Sequence, residues 1–292
     1  MGFAMAEKIL EAGHTLTVYN RTVEKARPLV DKGAVIAATP ADTARNSEVV
    51  ISILTDPNAV KEVSLGEKGI RSGLSENSVH CDMSTVSASW AEEIEQLYVM
   101  NSKHFIHAPV LGSLPQVKSA SLLVFSGGKK KYQDILEPLF KSFSSNVWHF
   151  DSAKKAAIIK LSFNMLIAHM ITGLGQSMVF LEKSGIEPKL FLEILEKSSL
   201  FAPFYKTKGE AILKRDFKAN FYVKHLLKDL GLAQDAARET DIPLLWNAIT
   251  REIFVSAQNS GYGDEDYSAC IKVIEQMAGT QLKIHDENME VF

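Results

Sequence analysis

The first half of the chain alternates between two hydrophobic periods. Residues 1–12 place apolar side chains at helical spacing and stop at Gly13, a residue suited to a left-handed cap. A short β-branched and aromatic run at 15–19 predicts a strand, and 23–32 return to helical spacing. The run VVISIL at 49–54 is continuously apolar, as in a parallel strand covered on both faces. Further helices are predicted at 58–63, 87–101 and 131–143, with strands at 78–83, 105–110, 122–125 and 147–150. Repeated alternation of this kind predicts a doubly wound, mostly parallel sheet.

Beyond residue 151 the strand pattern stops. Residues 153–184 read as one long helix, closed by Gly185, with Pro188 opening the next. Helical spacing continues at 188–198, 205–214, 223–239, 243–259 and 265–281. The reading is an α/β unit over 1–152 and an all-helical unit over 153–292, joined by the long helix rather than by a low-complexity linker.

Composition then excludes several classes. Apolar residues make up 46% and charged residues 23% of the 292, the proportions of a soluble globular protein. A formal charge of −3 supplies no basic field for nucleic acid or an anionic membrane, and the one dense basic run, 129–131, reads as a solvated helix start. The long apolar stretch at 161–181 is interrupted by Asn164, His169 and Gln176, which fits a buried helix better than a membrane span. Cys81 and Cys270 lie far apart and read as buried, reduced thiols. With no secretory pattern at the start, a cytoplasmic location is expected. His14, His80, His104, His107, His149, His169, His225 and His285 show no metal-binding spacing, and no nucleophile elbow or Cys–His pair occurs. Phe201, Phe204 and Tyr205 form an aromatic patch that suits either core packing or the mouth of a site.

The candidate chemistry begins at the first turn. A dinucleotide-binding unit runs strand, glycine-rich turn, helix, so that backbone N–H groups meet the pyrophosphate. Here Gly2 stands where the third glycine would, and the preceding strand and first two glycines are absent. The expected reason is an N-terminal boundary set about a dozen residues late, at an internal Met, which leaves a central sheet position vacant. At the end of the second strand, where an acid would bind the ribose hydroxyls of NAD, the chain has Asn20-Arg21-Thr22. Arginine can pair with a 2′-phosphate and threonine adds a hydroxyl, so the residues favour NADP(H), with NAD(H) as the other option.

Taken in order, Gly2…Gly13-His14 with VYNRT, LTDP at 54–57, DMSTVS at 82–87, HAPVLGS at 107–113, KLSFN at 160–164, KHLLKDL at 224–230 and GYGDEDYSA at 261–269 resemble the β-hydroxyacid dehydrogenase family. That family includes 3-hydroxyisobutyrate dehydrogenases and reductases of glyoxylate or succinic semialdehyde. The resemblance spans the chain. It implies a Rossmann-type dinucleotide-binding domain followed by an all-α domain, pairing of subunits through the helical half into a homodimer or homotetramer, and a small carboxylate-bearing carbonyl or hydroxy-acid substrate.

Site residues follow from the same resemblance. Lys160 and Asn164 match its K-x-x-x-N motif, and a spacing of four puts both on one helix face. Lys160 is expected to give a proton to the carbonyl oxygen as hydride reaches the carbon, with its pKa drawn down by burial and by oxidised nicotinamide. Leu54, Thr55 and Thr85 match cofactor contacts, with Ser84 a neighbour on the substrate side, and Lys228 matches the lysine that closes on the cofactor. Asp229 is read either as the orienting partner of Lys228 in the substrate site or as half of a plain helix-end ion pair. The carboxylate-binding Ser-Gly-Gly turn is replaced here by Leu111-Gly112-Ser113, which keeps the backbone donors but makes the pocket more apolar. A second departure precedes Lys160: where relatives have a glycine turn, Lys154-Lys155-Ala156-Ala157 predicts a regular helix start with extra positive charge facing a ligand. Lys160 argues against imine reductases, which replace the lysine. Its retention with Asn164, Thr85 and Lys228 favours catalysis over an idle scaffold role.

Overall fold

The computed structural model describes residues 1–283. The chain opens on α1 (Gly2–Glu11), which buries Ala4, Met5 and Ile9, and Gly13 follows with φ at +87°. β1 (Thr17–Val18) pairs in parallel with β2 (Val35–Ile36), and the two form a sheet of their own. The helix predicted over 23–32 is broken between them: a 3-10 turn at Val23–Lys25 gives way to α2 (Arg27–Val30). Pro28 accounts for the break, because it has no N–H to donate and its ring crowds the preceding turn.

The second sheet holds β3 (Val49–Ser52), β4 (Val79–Asp82) and β5 (His104–His107) in parallel. Next to β5 lies β7 (Leu122–Gly127), antiparallel both to it and to β6 (Val110–Leu111), with β8 (Ser144–Phe150) parallel to β7. The expectation of a mostly parallel sheet therefore holds for β3, β4 and β5 and is corrected beyond them. The predicted strand at 105–110 is two strands, because Pro109 cannot donate to a ladder. β1 and β3 belong to different sheets.

The intervening helices are α3 (Pro40–Ala44), α4 (Pro57–Leu65), α5 (Ile70–Gly73), α6 (Ala88–Met100), α7 (Leu114–Lys118) and α8 (Lys130–Phe140). Asp56 and Ser87 cap α4 and α6 by accepting from the N–H groups of Ala59 and Trp90. One core joins α1 to the strands and α8 through Met5, Val79, Cys81, Ile106, Val124, Leu136 and Phe140. Each fully buried side chain of this size contributes about 1.5–3 kcal/mol.

The long helix α9 (Ala153–Lys183) starts where the sequence predicts. Glu95 accepts from the Ala153 N–H at 3.1 Å, and Lys154 pairs with Glu92 at 2.8 Å. The Lys154 charge expected to face a ligand is thus held by Glu92. The chain divides into two compact units inside this helix, Met1–Ser162 and Phe163–Phe292.

In the second unit, Ala168, Ile171, Leu174 and Met178 of α9 enter a core with Leu226, Leu230, Phe254 and Ile271. α10 (Pro188–Lys197), α11 (Pro203–Leu213), α12 (Val223–Arg238), α13 (Leu245–Ala257) and α14 (Ile271–Ala278) complete it. The single helix predicted over 265–281 is corrected to a 3-10 turn at Tyr267–Cys270 followed by α14. The Asp266 carboxylate caps that turn by accepting from Ser268, and Gly279, at φ +61°, ends α14. Phe204 and Tyr205 pack against this core, with Phe204 stacked on Tyr267, so these two members of the aromatic patch take the first of its two readings. Cys81 and Cys270 are buried free thiols. By length and composition α9 could cross a membrane, yet it carries buried Lys160, Asn164 and Thr172 and builds the second unit's core.

Candidate active site

In an open α/β sheet the ligand side lies beyond the carboxyl ends of the strands, where the chain leaves the ladder and its backbone groups are available. Here β3, β4 and β5 end on Ser52, Asp82 and His107, all three buried. The loop after β3 carries Leu54 and Thr55, and the loop after β4 carries Ser84 and Thr85. Leu54 donates its N–H to Ser84 Oγ at 2.9 Å, so the structure joins these two predicted segments directly. Ser84 is itself buried, and its hydroxyl donates to Asp82 Oδ1 at 2.7 Å. With both capacities engaged inside the fold, Ser84 supports the loop, a correction to its expected place facing the substrate. Thr85, next in the chain, is half-buried, and Thr55 is exposed.

Burial alone would raise the Asp82 carboxyl. The nearby His107 and His80 and the hydrogen bond from the Ser84 hydroxyl outweigh it and hold Asp82 below the ordinary carboxylate range. His107 Nδ1 stands 3.5 Å from Asp82 Oδ2, longer than a good hydrogen bond. Burial pushes His80 the other way from a charged state, down to about 4. This polar group is the part of the unit that sequence reasoning missed. A signal was present: Ser52, His80 and Asp82 are isolated polar residues inside runs that otherwise read as strands buried on both faces.

The predicted turn at 111–113 closes β6 and starts α7. Gly112 has φ at +129°, and a Cβ there would lie 2.6 Å from Leu122 Cδ2, so both backbone and space require glycine. Ser113 donates its N–H and its hydroxyl to Gln116 Oε1 at 2.9 and 3.0 Å. Leu111 is half-buried beside this turn. At the start of the chain, Gly2 sits close enough to Ile53 that a Cβ would come within 2.9 Å of its side chain. The first turn of α1 has no side-chain cap and no acid. Asn20 donates to the Thr22 carbonyl at 2.6 Å, shaping a turn on which Arg21 and Thr22 are exposed.

Lys160 is buried on α9 at 8% exposure, one turn before Asn164 on the same helix. In the second unit, Asn164 Nδ2 donates to Asp229 Oδ2 at 2.6 Å, and Lys228 Nζ lies 2.9 Å from Asp229 Oδ1. Asp229 is buried in the middle of a helix, Val223–Arg238, so of its two readings the plain helix-end ion pair does not describe it: it faces a buried asparagine and an adjacent lysine at once. Among the described residues no group of three or more His, Cys, Asp or Glu is placed to hold a metal, and His285 lies outside those residues.

Residues 1–150 match the NAD binding domain of 6-phosphogluconate dehydrogenase, and residues 155–274 match the NAD-binding domain of NADP-dependent 3-hydroxyisobutyrate dehydrogenase. The chain is 33% identical to a probable mitochondrial 3-hydroxyisobutyrate dehydrogenase-like protein of Arabidopsis thaliana, over 98% of this chain and 86% of that one. It is 29% identical to glyoxylate/succinic semialdehyde reductase 1 of the same plant, over 94% and 95%. The crystal structure of 3-hydroxyisobutyrate dehydrogenase from Salmonella typhimurium has the same fold, with a TM-score of 0.83 at 22% identity over 93% of this chain and 95% of that one. A dinucleotide-binding α/β unit followed by a helical unit defines an NAD(P)-dependent oxidoreductase acting on CH–OH groups. The chain belongs to the β-hydroxyacid dehydrogenase family.

Proposed function

We propose that this protein reduces small carbonyl acids of the glyoxylate or succinic semialdehyde type with NADPH, using Lys160 as the proton donor. The observation that carries the reading is a buried lysine one turn before a buried asparagine whose amide is fixed by Asp229. An amine and an oriented amide one turn apart on one helix face supply the hydrogen bonds that position a polar substrate.

The residues present suit the cofactor. Gly2 leaves the backbone open at the start of α1, whose first-turn N–H groups have no side-chain cap and no acid to compete with a phosphate. Arg21 and Thr22, exposed at the end of β1 with no acid beside them, suit a 2′-phosphate. When bound, the reduced dinucleotide supplies hydride to the carbonyl carbon. Lys160 then gives its Nζ proton to the carbonyl oxygen, and in the oxidative direction takes it back. Asn164 orients the substrate, and Lys228 is held beside Asp229. Ser113 offers the substrate carboxylate the N–H and hydroxyl that Gln116 Oε1 now accepts, beside the glycine backbone at 112, while Leu111 narrows tolerance for polar groups alongside.

Reduction is favoured over oxidation because NADP(H) pools run reductively. A second reading, oxidation of a 3-hydroxy acid, is supported by the name of the Arabidopsis relative with 33% identity. The test is turnover of purified protein with NADPH and a panel of short carbonyl acids, run beside NADP+ with 3-hydroxy acids. Absence of turnover in both directions, together with no NADPH binding by fluorescence, rejects the enzyme reading.

A further inference from the structure

We propose that Asp82 is a positioning residue for the cofactor loops: through Ser84 it locks the Leu54 backbone, and so sets Leu54–Thr55 against Thr85. The inference rests on the cofactor reading above and deepens it. Asp82 ends β4 at 1% exposure. Its Oδ1 accepts from Ser52 Oγ and from Ser84 Oγ, both at 2.7 Å, and more weakly from the Ser84 N–H at 3.4 Å. Ser84 Oγ in turn accepts from the Leu54 N–H. Leu54 lies past the end of β3, so no ladder bond reaches that N–H from β4. The Ser84 hydroxyl takes its place.

The direction of the protons gives the network a sink. Ser52 lies 2.8 Å from His80 Nε2, and His80 Nδ1 lies 2.7 Å from the Tyr98 hydroxyl, which is 3.2 Å from the Ser64 carbonyl. A carboxylate only accepts, so Ser52 gives its one proton to Asp82 and must accept from His80 Nε2–H. A neutral His80 then presents a lone pair at Nδ1 to the Tyr98 hydroxyl at 2.7 Å, and in that setting the Tyr98 proton leaves the longer contact to the Ser64 carbonyl. The opposite setting turns Ser52 toward His80 and removes a charge-assisted bond from Asp82, so it is the weaker one. Tyr98, His80 and Ser52 thus point into Asp82 from one side, and Leu54 N–H and Ser84 point into it from the other. One buried carboxylate holds the ends of β3 and β4, and with them the two loops that follow, in fixed register.

The test compares Ser84→Ala, Asp82→Ala, Asp82→Asn and Ser52→Ala by amide exchange at Leu54 and by NADPH titration. Ser84→Ala cuts only the link; loss of one such hydrogen bond is expected to speed Leu54 exchange and weaken NADPH binding each by about fivefold to tenfold. Asp82→Ala should match it. Asp82→Asn keeps an Oδ1 acceptor and should restore both within about twofold, as should Ser52→Ala, which leaves the Ser84 link intact. In turnover the change falls on KM for NADPH, with kcat held. Ser84→Ala and Asp82→Ala that leave Leu54 exchange and NADPH affinity unchanged overturn the proposal. So does faster exchange at Leu54 with unchanged affinity. Wild-type protein that does not bind NADPH strikes instead at the functional reading, and the exchange comparison then decides by itself whether Asp82 locks the loop.

Discussion

Asn164 gives its amide to the carboxylate of Asp229 at 2.6 Å, both side chains being buried, and the other carboxylate oxygen faces Lys228. Replacing Asn164 by Leu removes the donor and leaves a buried carboxylate short of a partner. A loss of about 2–3 kcal/mol of stability is expected, with much less in an Asp229→Asn background. Urea denaturation of the single and double variants reads the coupling directly; additive losses would show that the two residues do not act as a pair.

Lys160 should behave differently. Lys160→Met keeps the apolar stem and removes the amine, so NADPH binding and the fold persist while kcat falls at least ~100-fold. Steady-state kinetics beside fluorescence titration separates this from a folding defect.

Arg21 tests the cofactor choice. Arg21→Ala should raise KM for NADPH about tenfold and leave KM for NADH nearly unchanged, since only the 2′-phosphate loses a partner. Equal effects on both dinucleotides would assign Arg21 to the adenine or to the fold.

Acid should destabilise the first unit before it protonates ordinary carboxylates. Burial lowers His80 from 6.5 to about 4, so between those values the unfolded chain carries a proton that the folded chain refuses. Stability therefore falls as pH drops through this window, by about 3 kcal/mol when the window is crossed. Asp82, held below its ordinary value, adds stability that is lost only at lower pH, as its folded form protonates. Thermal melts at pH 7 and pH 5 should show the loss, and His80→Gln should flatten it. His104, His169 and His225 are also lowered by burial and keep part of the slope.

The helical unit exposes Leu245 at 71%, Trp246 at 73% and Ile249 at 56% along one stretch of α13. We propose that a second copy of the chain covers this surface. Trp246→Glu should then lower the mass seen by light scattering to that of one subunit; an unchanged mass would place the interface elsewhere.

Legibility in the sequence followed the length and continuity of each signal. α9 was readable because a long periodic segment ends on Gly185 before Pro188. The paired segment at Val35–Ile36 was not, because two residues carry no period, and the short helices α3, α5 and α7 were missed for the same reason. The pairing of Lys160 with Asn164 on one face was legible because their spacing of four falls within a single helix. Ser52, His80 and Asp82 come together from separate strands, so no local spacing could pair them. Asp229 was found only as a neighbour of Lys228, and its partner Asn164 lies 65 positions earlier.

The separate β1–β2 pair has a thermodynamic consequence for the adenosine end of the cofactor. Two strands of two residues each fall well below the size at which a sheet is stable by itself. If the turn at 20–22 holds the 2′-phosphate as proposed, it does so only while that pair is formed, and observed affinity is the intrinsic affinity scaled by the competent fraction. A change that tightens β1 against β2 would therefore strengthen dinucleotide binding without making any contact with the dinucleotide.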